Sequence, residues 1–196
     1  PGGRRPLHVV VALVVLAGVP AAGSTPAAAG PAPVMRGYVP LPADEFQLAQ
    51  EAINSAATTT IDFTVGITNA GDGAVIYYDH WEDGFEADAA SPVQSSTQVW
   101  GDANTSNGDA ATVCAPACAG DLLTAGDVFV LRNTFTTPRN PATIAWDGRD
   151  KVSSTRGFSL TAGGFSSLGS VFAGSASAYD TSKYGTHYVV PMGQDS

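Results

Sequence analysis

Hydrophobic and polar residues alternate most cleanly between Ile61 and Thr68. Ile61, Phe63, Val65 and Ile67 are interleaved with Asp62, Thr64, Gly66 and Thr68. That period of two predicts a strand with one buried and one wet face. Asn69-Ala70-Gly71-Asp72-Gly73 has turn chemistry, and Ala74 to Tyr78 then returns with apolar residues on both faces. The pair predicts a hairpin whose second strand is central in its sheet. Upstream, Phe46, Ala49 and Ile53 recur at helical spacing, and Asp44 and Glu45 suit a helix N-terminus, so Pro42 to Ala57 is the one predicted helix.

Further short apolar runs predict strands at Gln94 to Trp100, Val128 to Asn133, Thr143 to Trp146, Gly157 to Thr161, Ser170 to Ala173, Ala176 to Tyr179 and Tyr184 to Val190. Gly, Asn, Asp, Ser and Pro clusters separate them. Many short strands without alternating helices predict an all-β, antiparallel β-sandwich-like module with one short N-terminal helix. No period of 20–50 residues repeats, which leaves a solenoid or propeller unsupported.

The N-terminus has a different pattern. Arg4-Arg5 precede an unbroken apolar run from Val9 to Val19, followed by small residues up to Ala29. Charged, apolar, then small is the order of a secretory signal, and the run is too short to span a bilayer. Residues 1–29 are therefore read as a signal peptide and residues 30–37 as a flexible tether. Residues 38–196 are read as a β-rich extracellular module, with further domains of the same chain downstream. No membrane insertion is expected after signal cleavage.

Composition narrows the function classes. Of 196 residues, 44% are hydrophobic and 14% charged, which permits a real core. Nine basic residues face eighteen acidic ones, a net charge of -9. That balance repels nucleic acid and anionic lipid. The expected partners are an extracellular protein or a glycan.

The densest chemistry lies in Tyr77-Tyr78-Asp79-His80-Trp81-Glu82-Asp83-Gly84-Phe85-Glu86-Ala87-Asp88. Calcium takes six to eight oxygens, and Asp79, Glu82, Asp83, Glu86 and Asp88 could supply several. An EF-hand register fails, because Trp81 would take its third position and Ala90 its twelfth. The competing reading is an acidic turn whose aromatics pack inward. Asp102, Asn104, Asn107 and Asp109 form a second oxygen-rich loop, also off register. Trp81, Phe85 and Trp100 are candidate ligand contacts, against the commoner fate of aromatics in a core.

Cys114 and Cys118, the only cysteines, most simply close a small disulfide loop in an exported protein. Tetrahedral zinc needs four ligands, and neither His80 nor His187 lies near them in sequence. Nucleophile-elbow and His-Glu-x-x-His motifs are absent. His80 beside Asp79 and Glu82 is the best catalytic seed, and paired carboxylates could serve a glycoside hydrolase. Gly148-Arg149-Asp150 holds the residues of an integrin tripeptide in the wrong order and is set aside.

Three segments carry a family resemblance: Thr60 to Thr64, Val75 to Glu86, and Thr97 to Asp102. With them the chain resembles the N-terminal part of large exported bacterial surface proteins, in which a YYDHWEDGYE segment precedes strings of β-sandwich repeats. Phe85 stands here for the usual Tyr. The C-terminal half, through Arg156 to Ser159, Ala173 to Ser175 and Tyr184 to Pro191, is loosely similar to the N-terminal domain of IgG-Fc-binding proteins. The resemblance implies a β-rich extracellular adhesion or binding module at the cell surface, without catalytic residues. A calcium-dependent carbohydrate-binding module and a hydrolase using the acidic loop are the alternatives.

Overall fold

A computed structural model of the chain describes residues 30–53, 60–108, 113–115, 118–136, 138–166, 173–178 and 180–183. The signal peptide expected at residues 1–29 and the strand expected at Tyr184 to Val190 lie outside them. Two antiparallel sheets and one short helix make an all-β, sandwich-like fold, as the alternation predicts.

The strands in chain order are β1 (Met35–Tyr38), β2 (Thr60–Asn69), β3 (Ile76–Asp79), β4 (Gln98–Trp100), β5 (Val113–Ala115), β6 (Val128–Thr136), β7 (Lys151–Ser154), β8 (Phe158–Ser166) and β9 (Ala173–Ala178). The four-stranded sheet has the order β1-β7-β3-β4, and the five-stranded sheet β5-β6-β2-β8-β9. Both sheets feed one core. Phe63, Val65 and Ile67 of β2, Phe129 and Leu131 of β6, and Leu160 and Ala162 of β8 meet Ile76 and Tyr78 of β3, Trp100 of β4 and Val152 of β7. Alternation along each strand puts these residues on the inner faces.

The predicted hairpin is overturned. β2 is central in the five-stranded sheet, between β6 and β8, while β3 is central in the other, between β7 and β4. The Asn69–Gly73 segment is a corner between sheets. Buried Asn69 shapes it: its Nδ2 donates to Gly71 O (2.9 Å) and Thr124 O (2.8 Å), and its Oδ1 accepts from Gly71 N (3.2 Å). A turn-rich segment between two strands marks a reversal, but not which edges pair after it. The central position expected for β3 is observed.

The tether is a second correction. Residues 34–38 pair against β7, with Val34 N donating to Ser154 O (2.9 Å). Gly30 N donates to Ala90 O (2.7 Å), and Tyr77 donates its hydroxyl to Pro31 O (2.8 Å). Gly30, Pro31 and Val34, in a stretch with no local pattern, are held here by Ala90, the Tyr77 hydroxyl and Ser154 of β7. Thr143 to Trp146 is also not a strand. It belongs to the loop before β7, whose sequence Lys-Val-Ser-Ser carries too little apolar signal to be picked out.

The helix, α1 (Ala43–Ile53), buries Ala43 and Phe46, while Ala49 faces solvent. Phe46 lies over Gly164 of β8, where an added Cβ would come within 2.8 Å of the ring. The helix start abuts Gly148, where a Cβ would sit about 2.4 Å from Pro42 N. That close approach fixes the loop that carries Asp147 and Asp150.

Candidate functional site

β3 ends at Asp79, and its alternation sends successive side chains to opposite faces of the sheet. Tyr78 and His80 go inward, 5.1 Å apart between ring centres. Tyr77 goes outward into a second apolar cluster with Val75, Val99, Ala89 and Ala90. The acidic loop thus folds back over the outer face of its own sheet, which is why β3 is buried on both sides.

The outward half of the loop is a brace. Asp79 and Lys151 are cross-strand partners, with Lys151 Nζ 2.5 Å from Asp79 Oδ2. The same oxygen accepts from Glu86 N (2.9 Å), and Nζ donates to Glu86 O (3.3 Å). Glu86 Oε1 then accepts from Val93 N (2.8 Å), Gln94 N (2.7 Å) and Thr97 Oγ1 (3.2 Å). One carboxylate therefore holds the return segment, and β4 starts only at Gln98. Burial raises the Asp79 pKa, with Lys151 opposing.

The inward half is a polar knot. Asp150 Oδ2 accepts from the Tyr78 hydroxyl (2.6 Å) and Asp147 N (3.0 Å), and Oδ1 accepts from Trp81 N (3.2 Å). His80 Nδ1 lies 3.0 Å from Ala145 O and 3.4 Å from Asp150 Oδ2. Both neighbours only accept, so Nδ1 carries the hydrogen. Arg139 pairs with Glu82 Oε1 through Nη2 and approaches Asp147 Oδ2 through Nε (2.6 Å). Trp81 Nε1 donates to the other Asp147 oxygen (3.0 Å), and Ala145 N to Glu82 Oε1 (3.1 Å). The side chains of Arg139 and Glu82 are only 5% and 1% exposed, so their charges are not screened by water.

Burial, reinforced by the Asp150 charge, pushes the Asp147 pKa up to about 7; Trp81 and Arg139 only partly oppose it. Burial and Asp150 likewise raise Glu82. Burial pulls the His80 pKa down, but its hydrogen bond and charge interaction with Asp150 win, and the result is raised. Burial, followed by the Asp150 charge, carries the Tyr78 hydroxyl well above its ordinary value.

The five carboxylates expected to hold calcium do not converge. Asp79 and Glu86 are engaged in the brace. Asp83 and Asp88 are exposed and close turns, Asp83 accepting from Ser96 and Gln94 meeting its carbonyl, Asp88 accepting from Ala90 N (3.0 Å). Among the described residues the possible metal group is a different one, His80, Glu82 and Asp150. It shares only Glu82 with the expected set.

The three candidate ligand contacts also separate. Trp100 is a correction: it is 5% exposed and packs on Phe129, Tyr78 and Trp146, because β4 turns it into the core. Trp81 is half-buried, with the Arg139 and Arg149 guanidinium groups 5.2 and 5.0 Å from its ring centre. Phe85 is exposed, edge-on to Tyr38 and 4.6 Å from Lys151 Nζ. The side chain of Cys114 lies outside the described residues, so the expected disulfide stays a proposal.

The sequence reading does not pick out Asp150, Asp147 or Arg139. For the two acids a signal exists in Asp147-Gly148-Arg149-Asp150, acids spaced around a glycine after a tryptophan. Arg139 carries no local signal. Beside the knot, a cleft of about 330 Å³ is lined by His80, Ser95, Gln98, Asn133, Ile144 and Trp146.

No family model, curated protein or solved structure matches the chain. Among the described residues, no helix is long and apolar enough to cross a membrane.

Proposed function

We propose that the chain is an exported, non-catalytic β module of a larger surface protein, serving adhesion or the display of a binding surface. The acidic aromatic loop is its brace. One observation carries this reading. The loop's buried carboxylates each accept from internal donors: Asp79 from Lys151 and Glu86 N, Glu82 from Arg139 and Ala145 N, Glu86 from two main-chain N–H groups and Thr97. A hydrolase needs a carboxylate free to reach a substrate proton. A calcium site needs several free oxygens at one point. The signal-like leader and the resemblance to exported surface proteins supply the location.

Two measurements test it. Fused to a reporter that is active only outside the cytosol, the full chain should give signal, and a chain lacking residues 1–29 should not. Incubated with a panel of aryl glycosides and esters, the purified chain should give no turnover above buffer. Turnover that disappears in Glu82→Gln would overturn the non-catalytic reading.

A further inference from the structure

We infer that His80, Glu82 and Asp150 form a site for one divalent transition-metal ion of the zinc type. The donor atoms of the three residues lie within 4.8 Å of one another. Zinc bound at about 2.0–2.2 Å sets tetrahedral donors roughly 3.4 Å apart. The separation of His80 Nδ1 from Asp150 Oδ2 is already 3.4 Å.

Geometry alone would leave an acidic cluster. A second, independent observation points to a ligand. Glu82 Oε1 is occupied by Arg139 and Ala145 N, but Oε2 is buried without a hydrogen-bond partner on a side chain only 1% exposed. A buried carboxylate oxygen left unpaired is costly, and a cation is the partner that suits it. The charge count agrees. Glu82, Asp147 and Asp150 face Arg139, and a divalent ion beside a neutral imidazole brings the group to balance.

The surroundings are those of a held ligand set. Tyr78, Asp147 N and Trp81 N fix the Asp150 carboxylate, and Ala145 N fixes Glu82. Such outer partners orient first ligands and tune their basicity. Binding through His80 Nδ1 needs one rearrangement: Nδ1 gives up its hydrogen and the ring keeps the one on Nε2. Ala145 O, 3.0 Å from Nδ1, loses that hydrogen and becomes available as a further oxygen ligand. His80 and Ala145 also line the cleft, which gives the ion a path and water a place to complete the shell. One imidazole with two carboxylates suits zinc, cobalt or manganese; calcium would ask for six to eight oxygens.

The site is independent of whether the module is exported. The test is metal binding by the full chain after treatment with EDTA. Zinc titrated calorimetrically should bind with a stoichiometry near one and raise Tm by several degrees, and cobalt should give visible d–d bands of a low-coordinate nitrogen–oxygen site. Glu82→Gln, which keeps the Oε1 acceptor, should weaken zinc at least tenfold, while the exposed pair Asp83→Asn and Asp88→Asn should leave it unchanged. If Glu82→Gln fails to fold, wild-type NMR decides, because the His80 ring signals must move with one equivalent of zinc. The inference is overturned if zinc and cobalt do not bind the wild-type chain, if Glu82→Gln binds them equally, if His80 does not respond, or if calcium binds more tightly than zinc.

Discussion

Replacing Arg139 by Met should be among the most damaging single changes in this module. Its side chain is 5% exposed, and its guanidinium is the cation paired with both Glu82 and Asp147, whose side chains are 1% and 2% exposed. It also lies 5.2 Å from the ring centres of Trp81 and Phe135. Met fills much of the volume but strands two buried carboxylates. Breaking a buried pair on one side costs about 3–5 kcal/mol. Lost cation–π contact adds roughly 0.5–2 kcal/mol. A domain of this size holds about 5–15 kcal/mol in total, so the variant should be barely folded. Equilibrium urea unfolding followed by tryptophan fluorescence, in EDTA at pH 7, measures the loss. Arg139→Lys should lose less, since charge remains but the planar fork does not. The double variant Arg139→Met with Glu82→Gln should recover at least about 1 kcal/mol, because one stranded charge is gone. A loss under about 1 kcal/mol for Arg139→Met, with no coupling to Glu82, would show that the knot does not carry stability.

Asp147 makes the ion-free chain sensitive to pH. Its folded pKa of about 7 lies above the ordinary 3.8, so this stabilisation is complete below 3.8 and is lost as pH rises through about 7. Stability in EDTA should fall between pH 5 and pH 8, on the order of 2 kcal/mol; a rise over that window in chemical denaturation refutes it. Gly101→Ala should cost more than about 3 kcal/mol by the same assay, because φ is +93° and the new Cβ would lie 2.1 Å from Ala74 O. Glu86→Ala should cost about 1–3 kcal/mol by orphaning Val93 N, Gln94 N and Thr97. Glu86→Gln keeps an acceptor and should cost less than half as much; equal losses would mean that packing, not the bonded oxygen, holds the return loop.

The inner face of the fold was legible because it is periodic. Ile61, Phe63, Val65 and Ile67 alternate, and all four are buried. What was not legible is pairing, since no local pattern says which edge of β3 meets which strand. β7 was hidden for a related reason. Ser153 and Ser154 are buried although polar, and their environment is set by β1 and β3, more than seventy residues away. The site divides in the same way. The loop stood out as an acidic cluster, but the partners that decide the roles of Asp79 and Glu82, Lys151 and Arg139, come from one distant segment.

That segment also explains why Asp79 and Glu82, three residues apart, have different roles. Lys151 faces the outer half, where it and Glu86 N hold Asp79 Oδ2, and Glu86 is bonded by two main-chain N–H groups and Thr97. In the inner half three carboxylates face Arg139 and the His80 imidazole. A brace does not require that excess. Asn or Gln at Glu82 or Asp147 could accept similar hydrogen bonds without the desolvation cost of a charge. A buried surplus of negative charge, held in place by Tyr78 and by main-chain N–H groups, is stable when something positive joins it. The proposed divalent ion between His80, Glu82 and Asp150 would supply that charge without unfolding the corner.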